Sequence, residues 1–78
     1  MIAMTDFQYD NMLIVAFGER LRAMREFHGM SQRELADAAR IGKTTLQGYE
    51  VGRHEPGLVS LNKLANALGV SLTSLLGW

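Results

Sequence analysis

Lys43, Thr44, Thr45 and Gln47 fall within the five residues KTTLQ. Together they offer an ammonium group, two hydroxyls that each carry a methyl, and a primary amide. None has a neighbouring base that would make it a nucleophile, so their chemistry is hydrogen bonding and charge. On a helix they form a short polar face with one cation, continued by Gly48. A helix exposed only for solubility more often carries Glu and Lys in i,i+4 pairs, and this face has none. The donor set instead fits base edges: Lys to guanine O6 and N7, Gln to adenine, a Thr methyl to the thymine methyl. The chemistry implied is recognition of duplex DNA in its major groove.

Such a face needs a rigid mount. Leu46, Tyr49 and Glu50 share the opposite side of a helix spanning about residues 43–51, with Gly42 as its N-cap and Gly52 as its stop. Just before it, Ser31 and Glu34 have the spacing of a capping box, which predicts a helix running to about Ala39 and burying Leu35, Ala36 and Ala39. Only Arg40-Ile41-Gly42 separates the two, so they must cross steeply. Ala36 permits close approach, and Leu35, Ile41 and Leu46 fill the wedge.

Three further helices complete an all-α, five-helix arrangement. Ile14, Phe17, Leu21, Met24 and Phe27 recur at helical spacing, and Gly29 ends the run. Gly18 costs about 1 kcal/mol relative to Ala, which places the start of this helix near that residue. Thr5 and Gln8 have capping-box spacing, so residues 1–11 read as an N-terminal arm, flexible or holding one short helical turn. Residues 12–78 form the domain proper. Leu58, Leu61, Leu64, Ala65 and Leu68 mark a fourth helix closed by Gly69, and Ser71 caps a fifth carrying Leu72, Leu75 and Leu76. Trp78 follows.

Seventy-eight residues bury only about 60% of their unfolded surface, so one small domain must use nearly all its apolar side chains. There is no cysteine, which removes disulfide and thiolate chemistry. No His, Asp and Glu spacing reads as a metal site, and His28 and His54 read as surface. No nucleophile–base pair, phosphate-cradling loop or cofactor fingerprint is present, so neither an enzyme nor a small-molecule substrate is expected. The apolar run MLIVAF, residues 12–17, is too short to span a bilayer and lacks the preceding bases of a signal peptide. A cytoplasmic protein without a membrane partner is the expectation. Net charge is zero, yet Arg20 to Arg53 holds seven bases against four acids, and the remainder carries the compensating acids. A basic middle can steer onto phosphate despite a neutral sum.

Gln32-Arg33-Glu34-Leu35-Ala36, then Leu46, Tyr49-Glu50 and Gly52, resembles the helix-turn-helix of the phage repressor and Cro family, also called the xenobiotic-response-element (XRE) family. The likeness continues through Pro56, Leu58, Leu61, Leu64-Ala65 and Leu68-Gly69-Val70-Ser71, covering roughly residues 17 to 76. It implies a lambda-repressor-like DNA-binding fold, bacterial or phage-encoded. It also implies that Gln32 contacts a phosphate, that Lys43, Thr44, Thr45 and Gln47 begin the recognition helix, and that Arg53 clamps backbone. Arg25 and Glu50 match a largely buried structural ion pair. Three positions depart from the pattern. Arg40 replaces the usual turn glycine and must accept positive φ, at about 1–2 kcal/mol. Gly48 stands where relatives often have a long base-reading side chain, and Gly42 replaces a Ser or Thr cap.

The expected function is a sequence-specific DNA-binding regulator acting as a homodimer on a palindromic operator. One helix reads few base pairs, so two half-sites about 34 Å apart are needed. The dimer surface has three candidates: the fifth helix, Trp78, and the apolar Met12–Phe17 segment. The alternative is a protein-interaction module of the same fold, such as an antitoxin or a partner-binding regulator with little DNA affinity.

Overall fold

The computed structural model describes residues 3–78. Met1 and Ile2 of the arm lie outside the described residues. Five helices follow one another: α1 (Asp6–Phe27), α2 (Gln32–Ala39), α3 (Lys43–Glu50), α4 (Leu58–Leu68) and α5 (Leu72–Leu76). Among the described residues there is no strand, and no helix is long and apolar enough to cross a membrane.

Local chemistry sets most of the boundaries. The Ser31 hydroxyl accepts from the Glu34 amide at 3.0 Å while the Glu34 carboxylate accepts from the Ser31 amide at 2.9 Å. The same reciprocal box forms at Thr5 and Gln8, and it starts α1 there. The first helix therefore has 22 residues and begins well before the point that Gly18 indicated. Gly18 does not weaken a helix end; it is buried in mid-helix, where a Cβ would run into the carbonyl oxygens of Tyr49 and Glu50. Close approach of α1 to the end of α3 is what the missing side chain provides. Arg40 ends α2 in the left-handed region, with φ 57° and ψ 46°, and is the one non-glycine residue with positive φ among the described residues.

Leu21, Leu35, Leu46, Leu64 and Leu75, one from each helix, are fully buried and form the centre of the core. Ala36, Ala39, Tyr49, Ala65 and Leu68 close around them, and Ile41 and Leu61 pack half-buried at the edge. Phe27 and Leu58, expected inside on spacing, are exposed. Each occupies the end of a helix, where the periodic face has run past its neighbours. Arg20 bridges the first and last helices: Nε donates to the Leu75 carbonyl at 3.0 Å and Nη2 to the Ser74 carbonyl at 2.6 Å. The Ser74 carbonyl also takes the Gly77 amide at 3.2 Å, so Arg20 uses its second lone pair, and a cation at this end of α5 meets the negative end of the helix dipole.

Candidate nucleic-acid interface

Short α2 and α3, joined by the left-handed residue Arg40, cross with Leu35 and Leu46 buried between them. The first turn of α2 and the outer face of α3 consequently belong to one surface. Lys43, Thr44 and Thr45 are exposed on it, and Gln47 is half-buried one turn further on.

Four side chains from three helices connect in a single network behind that surface. Arg25 on α1 makes a two-pronged contact with Glu50 at the end of α3, Nε to Oε2 at 2.7 Å and Nη2 to Oε1 at 3.0 Å. Its third nitrogen, Nη1, donates to the Met30 carbonyl at 2.8 Å. Gln32 adds its amide to Glu50 Oε1 at 3.1 Å, and its own oxygen accepts from Gln47 Nε2 at 3.2 Å. Bidentate geometry makes the Arg–carboxylate contact strong and directional. The hydrogen bond to Glu50, with the nearby carboxylate charge, holds Arg25 above the usual guanidinium range despite the opposing effect of burial. No buried side-chain polar atom among the described residues lacks a partner.

The structure thus brings Gln32, Gln47, Arg25 and Glu50 together and keeps Lys43, Thr44 and Thr45 free beside them. Arg53 lies apart from this network, exposed in the turn after α3, where its amide donates to the Gly48 carbonyl at 2.8 Å. Gly48 does not continue the outer face as its position predicted. It is buried because the 51–57 loop folds back over it, with the His54 ring against the site where a Cβ would stand. A side chain at 48 would meet the exposed His54 ring first.

Two further cations flank the site. Arg22, Ser31, Gln32, Arg33 and Lys43 line a polar depression at the N-terminus of α2, with Arg25 at its floor. The first amides of any helix have no intrahelical acceptor and attract anions. Sequence reasoning counted Arg22 and Arg33 only within the basic segment. The signal available was their spacing, since Arg22 precedes the ion-paired Arg25 by one helical turn and Arg33 follows Gln32. Glu34, in the same turn, has its carboxyl held below the ordinary carboxylate range by its hydrogen bonds to the Ser31 amide and hydroxyl. Arg20, by contrast, is committed to α5 and adds nothing here.

A helix-turn-helix family profile matches residues 21–75. The chain belongs to the XRE-type helix-turn-helix family. It is 47% identical over 60 residues to the SPbeta prophage-derived HTH-type transcriptional regulator YonR of Bacillus subtilis, covering 77% of this chain and 56% of that protein. With the immunity repressor protein of Bacillus phage phi105 it shares 32% identity over 60 residues, 77% of this chain and 42% of the repressor. The chain spans about half the length of these curated relatives. The restriction-modification controller protein C.AhdI of Aeromonas hydrophila superimposes with a TM-score of 0.78 at 37% identity, over 80% of this chain and 94% of that one. The clp gene regulator ClgR of Corynebacterium glutamicum also reaches 0.78, at 38% identity over 82% of each chain. By name these relatives are a transcriptional regulator, a repressor, a controller protein and a gene regulator, and the two solved structures share this all-helical fold.

Proposed function

We propose that the chain is a sequence-specific DNA-binding transcriptional regulator that reads a palindromic operator as a homodimer, with α3 in the major groove. One observation carries this reading: the hydrogen-bonded chain Glu50–Gln32–Gln47, which fixes the first residue of α2 against the exposed face of α3. A phosphate contact and a base contact are thereby held in register by one side-chain network. Lys43, Thr44 and Thr45 address base edges, Gln47 reads from beside Gln32, and Gln32 with the α2 amides receives a phosphate. Arg22, Arg33 and Arg53 neutralise flanking backbone. A relative named as a phage immunity repressor supports a role in repression.

The partner-binding alternative rested on zero net charge and on Gly48. The burial of Gly48 removes the second ground. Selection of sites from a random duplex library tests the proposal, with Lys43→Ala/Gln47→Ala in parallel. The expected result is an inverted repeat with half-site centres about one DNA turn apart, weakened as salt rises and altered in the variant. No enrichment at low salt by folded protein refutes it in favour of the interaction module.

A further inference from the structure

The first three turns of α1 carry large exposed apolar side chains among the polar Asp6, Gln8, Asp10 and Asn11. Phe7, Tyr9, Met12, Leu13 and Val15 are exposed, and only Ile14 and Phe17 in this stretch turn partly inward. Large apolar side chains exposed this close together mark an interaction surface. One flank of this stretch, carrying Leu13 and Phe17, forms the wall of an apolar groove of about 400 Å³ closed on the other side by Pro56, Leu61, Leu76 and Trp78. Gly18 faces α3 and Val15 packs near Gly52 on another side of the same helix, so an occupant of the groove leaves Lys43 to Gln47 free.

We propose that this groove and the apolar stripe beside it are covered by the same surface of a second copy, the two α1 helices running antiparallel about a twofold axis at Leu13. This deepens the dimeric reading given above and rests on it. Two observations select a second copy as the occupant. The first is charge. Asp6, Leu13 and Arg20 lie two helical turns apart along one stripe, and in an antiparallel pair residues equidistant from Leu13 face each other, so Asp6 meets Arg20 of its partner at both ends. Arg20 uses Nε and Nη2 on α5 carbonyls, with Nη1 left over for that carboxylate. The parallel arrangement would set acid against acid. The second is area. At ordinary side-chain sizes the exposed parts of Tyr9, Leu13 and Trp78 come to roughly 500 Å², and the partly exposed Phe17, Pro56, Leu61 and Leu76 along the groove bring the apolar area toward the about 800 Å² that each partner contributes to a standard interface.

The absence of cysteine from the sequence allows a direct test on the whole chain. Packed helices lie about 8–10 Å apart, with Cα atoms about 2.3 Å off each axis. Facing positions on the twofold axis thus come within disulfide reach. Leu13→Cys should cross-link to dimer under mild oxidation, whereas Lys63→Cys on α4 should not. Wild type should sediment as a concentration-dependent dimer. Leu13→Glu, at a position 66% exposed and so tolerant in the monomer, should raise the dimer Kd at least about a hundredfold by setting two carboxylates face to face. A wild type that stays monomeric at millimolar concentration overturns the proposal. So does a dimer that ignores Leu13→Glu and fails to cross-link through Leu13→Cys. Loss of operator binding with an intact cross-link would refute the DNA reading and leave this interface standing. Monomeric Leu13→Glu that still binds a single half-site, weakly and salt-dependently, would support both.

Discussion

Glu50→Gln removes one charge from the network and almost no volume. The Glu50 side chain is 2% exposed and that of Arg25 11%, so the guanidinium has little water to fall back on. Glutamine keeps one acceptor oxygen but turns an NH₂ toward a group that only donates. Stranding one member of a buried pair costs about 3–5 kcal/mol. Arg25 keeps its contact to the Met30 carbonyl, which favours the lower end, about 3 kcal/mol. For a domain of this size that corresponds to a fall in Tm of about 12–24 °C and a sizeable share of a stability on the order of 4–12 kcal/mol. The double variant Arg25→Met/Glu50→Met strands no charge. It forfeits only the Met30 carbonyl and Gln32 contacts, at about 1 kcal/mol each, so it should be more stable than Glu50→Gln. Urea denaturation followed by far-UV circular dichroism supplies the comparison, completed by Arg25→Met alone as a double-mutant cycle. Glu50→Gln costing under 1 kcal/mol, or a double variant as unstable as the sum of the singles, would show that the pair is solvated and the reasoning wrong. Because Glu50 raises the proton affinity of Arg25, the stability tied to the Arg25 proton is fully present below the ordinary guanidinium value and is lost as pH rises through the raised one.

Gly18→Ala should destabilise by about 1–2 kcal/mol in the same assay, because overpacking against backbone carbonyls exceeds the gain in helix propensity of about 1 kcal/mol. Gly48→Ala meets only the exposed His54 ring, which can rotate away, and should be neutral or stabilising by up to about 1 kcal/mol. Ser31→Ala should cost about 1 kcal/mol through loss of the α2 cap. An NMR titration of that variant should also find the Glu34 carboxyl moved only part of the way back toward its ordinary value, because alanine keeps the amide at 31 that is the larger cause of the depression; in wild type the cap contributes above the ordinary value and is lost as pH falls through the depressed one. Arg53→Ala should reduce the slope of log K against log salt by about one, measured by fluorescence anisotropy on the selected operator.

The segment 31–52 was readable in the sequence because its signals are local. A capping box, a three-residue turn and terminal glycines act within one helical turn of the residues they position; the positive φ at Arg40 came instead from the resemblance, in which that turn position is usually glycine. Gly18 was misread because its reason lies 31 residues away, in the carbonyls of Tyr49 and Glu50. Gly48 failed for a similar cause: a loop folding back over a helix leaves no periodic trace. Phe27 and Leu58 fit the helical period yet are exposed, since period alone does not say where the neighbouring helix stops. Charge counting placed Arg20 with Arg22 and Arg33, although the first caps α5 and the others border the α2 depression. The Gln32–Gln47 contact depends on the crossing of α2 with α3, which spacing implies only as steep.

Trp78 is the single tryptophan of the chain and is 87% exposed on the rim of the α1–α5 groove. Its indole therefore dominates the ultraviolet emission from a place remote from Lys43 and Thr44. Free in water it emits at the red end of its range; anything that seats in the groove excludes water and moves the emission to the blue. The fold thus carries an optical gauge that distinguishes an occupied groove from an occupied α3 without a label.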